Sequence, residues 1–509
     1  MANDSGQVGF FAAAALEKVA ARDPDKKAII AKEEELTFAV LNQRVAALAA
    51  HLQKEGVHQR DRVGILLPNS VAIPLSYYAT QKIGAVTVIL DARLRGKELQ
   101  GVLSDADLKL LIVNNQLFSE VQEAFRAMVS LPVWIVNGDG ERSFEKRFSD
   151  APPLRNLSPI CPEEDALILY TSGTTGEPKG VVLSYINLAQ YPRVMSEMGV
   201  TDSSTIRGCI LPMSHIVGPM VCNELAEKGY TLVIFDQINP VTLLEGIQKY
   251  RVSVFEGVPI VFQLILGVRN LADYDTSSMK IAAMMGTTVP VPLLRAFKTA
   301  QPHIQVIQGF GLTETSPLIT LVEPGHAVGK MGSIGCAVPG VEVKIIDENG
   351  LEVGTGEPGE IITRGPHVMK GYFRNPTATA ARIHDGWLYT GDVGKRGEDG
   401  YYFHLGRRDD MIITGGLNVY PAEVENMIYQ YAKVQEAIVF AIPDVKRGHV
   451  IGAAVVSRQG ETVTEKDLLS FLRANLANFK VPQKIVVRES LPRTSSGKAI
   501  RDADVLLAG

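Results

Sequence analysis

Hydroxyls, glycines and one lysine are concentrated in Tyr170-Thr171-Ser172-Gly173-Thr174-Thr175-Gly176-Glu177-Pro178-Lys179-Gly180, directly after the apolar run Ala166-Leu167-Ile168-Leu169. Glycine lets a backbone approach an anion closely. The hydroxyls of Thr171, Ser172, Thr174 and Thr175, with backbone N–H groups, can hydrogen-bond phosphate oxygens, and Lys179 adds a cation. Gly180 stands where the Walker loop requires Ser or Thr after its lysine, so this is a different phosphate loop. A flexible Ser/Thr/Gly linker has similar composition. Such a linker has no reason to follow a buried strand or to end in Pro-Lys-Gly, and the phosphate-loop reading is the stronger.

Three further segments carry groups of the same chemistry. In Gln308-Gly309-Phe310-Gly311-Leu312-Thr313-Glu314-Thr315-Ser316-Pro317, Glu314 can hold Mg²⁺, which takes few carboxylates plus substrate phosphates. Phe310 offers a face on which a base can stack. In Trp387-Leu388-Tyr389-Thr390-Gly391-Asp392, an ionised Asp392 is acceptor-only and suits ribose hydroxyls. In Leu491-Pro492-Arg493-Thr494-Ser495-Ser496-Gly497-Lys498 a lysine sits in a Ser/Gly loop. Taken singly each has a bland reading: a core aromatic, a solvated Glu, a turn Asp after Gly, an exposed tail lysine.

The elements that must position these groups alternate. Phe38 to Leu52 has helical apolar spacing, and Arg62 to Leu67, Ala85 to Leu90 and Leu110 to Val113 read as buried strands. The rhythm returns in the strands Thr231 to Phe235, Val252 to Glu256, Ile281 to Met285 and Ile304 to Gln308, with a helix over Val241 to Lys249. Strands alternating with helices imply an α/β fold with mostly parallel sheets covered by helices. After about Pro339 short strands separated by Gly and Pro (Val341 to Asp347, Gly359 to Gly365, Gly400 to His404) predict a small antiparallel unit. The last hundred or so residues revert to α+β, with strands over Ala437 to Ile442 and Ala453 to Ser457. The charged run Gly406-Arg407-Arg408-Asp409-Asp410 is a boundary candidate, although by pattern alone it reads better as a surface loop.

The chain has 509 residues, 46% hydrophobic and 21% charged, with a net charge of −5. About 100–200 residues per domain predicts several structural units. That charge argues against a broad nucleic-acid surface. Four scattered cysteines, Cys161, Cys209, Cys222 and Cys336, show no metal spacing and fit a reduced compartment. The N-terminal apolar run, Val8 to Leu16, lacks a basic n-region and reads as an amphipathic helix rather than a signal peptide. No apolar run is long enough to span a membrane. A cytoplasmic location is expected, and a homodimer is left open.

Together and in this order the segments resemble the adenylate-forming superfamily of acyl-CoA synthetases, firefly luciferase and peptide-synthetase adenylation domains. The resemblance runs from about Glu35 to Asp504 through YTSGTTGEPKG, GFGLTE, YTGD, GRRDDMIITGGLNVYPAEVE and PRTSSGK. It implies a large N-terminal domain (1–405) of stacked α/β sheets with a β-rich subdomain, a hinge (406–410) and a mobile α+β lid (411–509). It implies ATP, Mg²⁺ and coenzyme A as ligands and a carboxylic acid as substrate. By the same resemblance Thr171 to Lys179, including Gly173 and Gly176, cradles the leaving pyrophosphate. Phe310 stacks on adenine, Glu314 holds the metal, and Thr313 contacts the α-phosphate. Asp392 and Arg407 hold the ribose, and Asp409 is the hinge. Lys498 is inserted by the lid for the first half-reaction, His215 lies near the acyl pocket, and Gly415 and Gly416 line the pantetheine tunnel. Two departures stand out: Tyr185 where relatives usually have His, and Phe310 where Tyr is commoner.

The implied reaction is ligation of the acid to CoA through an acyl-adenylate. A carboxylate is already ionised near pH 7 but is repelled by an anionic triphosphate, so the site must neutralise and position. Lys498→Ala is then expected to cripple adenylation yet spare thioester formation from supplied acyl-adenylate. The stretches aligned with the acyl pocket, Met213–Pro219, Phe255–Pro259, Met284–Thr288 and Gln308–Gly311, contain no Lys or Arg. A second substrate carboxylate would need a cation. An apolar aliphatic or aryl acid is therefore expected, lined by Met213, His215, Phe255, Met285, Gly286 and Gly309. The alternatives are an enzyme loading a carrier-protein thiol and, remotely, a non-catalytic nucleotide sensor.

Overall fold

The computed structural model describes residues 11–125, 131–148, 154, 156–171, 178–287, 289–458, 460–492 and 500–508. The apolar runs of the N-terminal part form two large sheets. One has seven strands, with Arg62–Leu66 between Val86–Leu90 and Leu110–Asn114, all parallel. Asp165–Thr171 extends it in parallel beyond Val86–Leu90, and Lys179–Ser184 and then Gly371–Tyr372 add antiparallel edges. The second has nine strands, with Ile206–Cys209, Val254–Gly257, Ile281–Met284 and Gln305–Phe310 as parallel neighbours. Strands buried on both faces read as continuous Val/Ile/Leu runs, and the strand Val86–Leu90 is buried throughout.

The two sheets share one core. Between them lie the helices Ala72–Lys82, Tyr185–Glu197 and Val217–Lys228, the first of them buried along its whole length. Helix starts follow local chemistry: Ser184 and Asn187 form a reciprocal capping box at the start of Tyr185–Glu197. Inside this core the Arg207 guanidinium donates to the Glu224 and Glu256 carboxylates, and to the Tyr191 hydroxyl at 2.8 Å. Arg207, Glu224 and Glu256 are all buried. Breaking such a pair by removing one partner costs about 3–5 kcal/mol, so this polar cluster locks strands Ile206–Cys209 and Val254–Gly257 to two helices.

A third, antiparallel sheet contains Glu342–Ile346, Gly359–Arg364, Trp387–Arg396 and Tyr402–Arg407. The expected linker begins inside this sheet: Gly406 and Arg407 pair with Val393 and Asp392. Beyond it, Val434–Asp444 and Gly448–Ser457 form the long hairpin of a separate C-terminal sheet, with its own core around Val439, Ala453 and Leu468. The fold is thus mixed α/β with a large N-terminal and a smaller C-terminal domain. No helix among the described residues is long and apolar enough to cross a membrane.

Candidate active site

The phosphate-loop segment joins two paired strands, with Thr171 opposite Lys179. Ser172, Gly173, Thr174, Thr175 and Gly176 lie outside the described residues. Asp165–Thr171 and Gln305–Phe310 each run parallel to one neighbour and antiparallel to the other, and ligands of mostly parallel sheets bind beyond the carboxyl ends of the strands. The Lys179 ammonium lies 5.6 Å from the centre of the Tyr372 ring. The Tyr372 hydroxyl donates to Glu314 Oε1 at 2.9 Å. Burial, and then the Glu314 charge, raise the Tyr372 pKa, so the phenol stays a donor. One tyrosine thus connects the expected phosphate lysine to the expected metal carboxylate.

Glu314 sits in a single tight turn, Thr313–Thr315. The turn is held by the Leu312 N–H to Thr315 Oγ1 at 2.8 Å and by the Met369 N–H to the Glu314 carbonyl at 2.9 Å. A Cβ on Gly311 would lie 1.6 Å from the Pro317 carbonyl oxygen, so only glycine fits that entry. Thr313 and Glu314 are both half-buried, and Glu314 is one of the residues that line a cleft. No group of three His, Cys, Asp or Glu residues able to hold a metal occurs among the described residues. A lone carboxylate still fits Mg²⁺, which keeps several waters and binds through one or two carboxylates with substrate phosphates.

Asp392 is buried and paired across the sheet with Arg407. Its Oδ1 accepts from His404 Nε2 at 2.9 Å, and its Oδ2 lies 3.4 Å from Arg407 Nη1. That second oxygen is buried and makes no hydrogen bond among the described residues. A buried acceptor without a donor is costly, and a ligand hydroxyl would satisfy it. The His404 ring lies 5.4 Å from the Phe310 ring at 32°, so the expected adenine face and the expected ribose carboxylate share one histidine. Leu312, Glu314, Tyr372, Arg382, Leu388, Tyr389 and Arg407 line a common cleft. Tyr372, Arg382 and His404 were not among the sequence candidates. Tyr372 meets Glu314 from far along the chain, while Arg382 and His404 meet Tyr389 and Asp392 across paired strands, and none of the three stands in a pattern that marks it.

On the acyl side the stretches separate by face. His215 Nε2 lies 2.8 Å from Arg93 Nη2 and 3.5 Å from Asp91 Oδ2. Arg93 in turn grips Asp91 through Nε at 2.9 Å and Nη2 at 2.6 Å. The acyl-side stretches themselves hold no cation, but the fold brings Arg93 to them from the loop after Val86–Leu90. Met285 is half-buried against the inter-sheet core, and Gly286, at φ +87°, is exposed.

Three of the expected lining residues are packed against the core. Phe255 is fully buried in a T-shaped series with Phe235 and Phe262 on the opposite face of its strand from Glu256. Strand side chains alternate, and this one serves the outer core. Met213 is fully buried, packed in the inter-sheet core, its N–H donating to Asn69 Oδ1 at 2.7 Å. The position a Gly309 Cβ would take is filled by Leu318 at 2.7 Å, so that glycine serves packing against the neighbouring strand.

Asp409 is exposed in the turn after strand Tyr402–Arg407. Gly415 and Gly416, at φ +58° and +81°, form the two-residue hairpin between the paired Thr414 and Leu417. Positive φ at both positions is the geometry that glycine supplies most readily. Both are exposed, with nothing within 4 Å of where a Cβ would stand, and the Gly415 N–H donates to the Arg447 carbonyl at 3.0 Å. Neither glycine is among the residues that line the cleft of Leu312, Glu314 and Arg407. Lys498 lies outside the described residues.

Residues 16–373 match the family described as AMP-binding enzyme, and residues 423–498 match AMP-binding enzyme C-terminal domain. The chain is 32% identical over 515 residues to a long-chain-fatty-acid–CoA ligase of Bacillus subtilis (strain 168), covering 95% of this chain and 92% of that one. It is 35% identical over 469 residues to a feruloyl-CoA synthase of Amycolatopsis sp, covering 92% of each. Among solved structures, o-succinylbenzoate CoA synthetase (MenE) from Bacillus subtilis, in complex with the acyl-adenylate intermediate OSB-AMP, superimposes with a TM-score of 0.85. That protein is 28% identical, over 96% of this chain and 97% of that one.

Proposed function

The chain belongs to the AMP-binding enzyme family and is an ATP-dependent carboxylic acid:CoA ligase acting through an acyl-adenylate; we propose that its acid carries an apolar acyl group, aliphatic or aryl. The observation that carries this reading is the charge balance at His215. The cation on that side, Arg93, is held through two nitrogens by Asp91, and an ion pair engaged in this way is a poor receptor for a second substrate carboxylate. Relatives acting on a long-chain fatty acid and on a ferulate support both branches.

In this reading the cleft holds the nucleotide. Phe310 and His404 offer faces to the base, Asp392 Oδ2 and Arg407 hold the ribose, and Lys179 offsets phosphate charge. Glu314, oriented by Tyr372, would hold Mg²⁺ arriving with ATP, and bound there the ion supplies positive charge beside the phosphates. Thr313 faces the α-phosphate. The carboxylate attacks the α-phosphorus, pyrophosphate leaves, and the CoA thiol then displaces AMP at the acyl carbon. The mixed anhydride must be kept from water, which a closing lid accomplishes. We assign that lid to 411–509 after an N-terminal domain of 1–405, with the swivel at Asp409 and Lys498 acting in the first step. The Gly415–Gly416 hairpin then approaches only in the second. The four cysteines are free thiols, which supports a cytoplasmic site of action.

The test is a competition among short, medium and long aliphatic acids, aryl acids and dicarboxylates, scored as acyl-CoA formed per AMP released. An apolar acid should win by at least about tenfold in kcat/KM over a dicarboxylate of equal length, as a missing charge partner demands. A preferred dicarboxylate would contradict the reading, and adenylate accumulating regardless of CoA would point to a carrier-protein acceptor.

A further inference from the structure

One carboxylate touches both the nucleotide turn and the segment that leads to the lid. Glu360, on strand Gly359–Arg364, is 11% exposed. Its Oε1 accepts the Gly391 N–H at 2.9 Å, and its Oε2 accepts from Arg408 Nη1 at 2.9 Å. The Arg408 N–H in turn donates to the Gly391 carbonyl at 2.9 Å. These three bonds close a ring. Gly391 immediately precedes Asp392, and Arg408 immediately precedes Asp409.

The far side of Asp409 is tied to the other domain. Asp410 lies 3.6 Å from Arg501, which donates to Glu425 at 3.2 Å and to the Val439 carbonyl at 2.6 Å. Arg408 is therefore anchored to the N-terminal body and Asp410 to the C-terminal domain, with one residue between the anchors. Two turn bonds span that residue, from the Asp410 N–H to the Arg407 carbonyl and from the Met411 N–H to the Arg408 carbonyl, each at 3.2 Å. Rotation there breaks these local bonds and the bond from Gln263 Nε2 to the Gln435 carbonyl at 3.3 Å that links the two domains, and leaves the ring intact.

We propose that Glu360 is a positioning residue that fixes the start of the hinge relative to the ribose-binding Asp392, so that lid rotation is confined to Asp409 and the lid arrives in register with the nucleotide. The proposal rests on the assignment of Asp409 as the swivel. Glu360 touches no reacting atom in this account. It acts through Gly391 on one side and Arg408 on the other, and the two actions are separable by chemistry. The side-chain carbonyl of Gln at 360 still accepts from the Gly391 N–H but cannot form the ion pair with Arg408. Ala at 360 removes both.

The experiment compares full-length Glu360→Gln, Arg408→Met, the double variant and Glu360→Ala in two assays. One is acid-dependent ATP–pyrophosphate exchange, and the other is conversion of supplied acyl-adenylate and CoA to acyl-CoA. Arg408 is largely exposed, so its variant reports on the hinge without disturbing the core. Glu360→Gln and Arg408→Met should each lower kcat in both assays by about three- to fivefold, the scale of an exposed ion pair, with the KM for ATP within about twofold of wild type. The double variant should be no slower than either single one, because both remove the same contact. Glu360→Ala should raise the KM for ATP as well. Unchanged kcat in both single variants, or multiplicative losses in the double, would overturn the proposal. Asp409→Pro separates it from the swivel assignment: a variant that runs both half-reactions at wild-type rates would sink that assignment whatever the Glu360 series shows.

Discussion

His404 Nε2 lies 2.9 Å from one oxygen of the buried Asp392 carboxylate, and the other oxygen has no hydrogen-bond partner among the described residues. The histidine satisfies one half of the group, and the remaining half is the proposed acceptor for a ribose hydroxyl. Asp392→Asn keeps the size but removes the charge and one acceptor. Hydrogen bonds to charged groups contribute about 1.5–3 kcal/mol, so the KM for ATP should rise about 10- to 100-fold while kcat falls less. Pyrophosphate exchange at varied ATP measures both, and an unchanged KM would remove Asp392 from the site.

Tyr372→Phe deletes the one side-chain donor that the described residues give to the Glu314 carboxylate. Loss of a hydrogen bond of about 1 kcal/mol predicts roughly a fivefold rise in the Mg²⁺ concentration needed for half-maximal activity. A Mg²⁺ titration at saturating ATP reads this. A variant with a wild-type titration would show that the hydroxyl does not orient the carboxylate.

Arginine only donates, so His215 Nε2 must accept from Arg93, which leaves the proton on Nδ1. Arg93→Met frees the ring to take the other tautomer or to pair with Asp91. The KM for the acid should rise about fivefold with the KM for ATP unchanged, and the ¹⁵N shifts of the His215 ring should report loss of the Nδ1–H form. Arg93→Lys should recover only part, because an ammonium cannot grip Asp91 through two nitrogens.

His367 is buried, and burial lowers its pKa to about 4. Its Nε2 lies 2.9 Å from Thr363 Oγ1, which itself donates to the Glu342 carbonyl, so the neutral ring donates from Nε2. The unfolded chain holds this histidine near pKa 6.5. A depressed native value stabilises the fold above pH 6.5, and that stability is lost as pH falls toward 4, in all about 3 kcal/mol. Thermal unfolding of wild type against His367→Gln from pH 7 to 4 checks this. The variant should be less stable at pH 7 and lose less on acidification, and parallel curves would contradict the assignment.

Much of the scaffold was readable because burial on both faces writes strands as apolar runs: Arg62–Leu66 and Thr231–Ile234 fall within a residue or two of the expected bounds, while Gly359–Arg364 was marked by its flanking glycines. Glu314 lies in a tight turn entered through Gly311, and Asp392 follows Gly391, although it stands inside strand Trp387–Arg396 rather than at the expected strand-to-turn junction. The facing of Phe255 was not readable, because a strand can be located while its register cannot, and one residue of register moves a side chain to the other face. Tyr372, His404, Arg93 and Glu360 left no local pattern, since each acts on a partner that only the sheet pairings and loop packing bring near.

The central claim is that the acid's own carboxylate oxygen attacks the α-phosphorus of ATP. The direct measurement uses the best acid from the competition, labelled with ¹⁸O in both carboxylate oxygens, with ATP, Mg²⁺ and CoA, and mass analysis of the products. The account predicts one ¹⁸O in AMP, one in the acyl-CoA and none in pyrophosphate. AMP without label, or label in pyrophosphate, would contradict it.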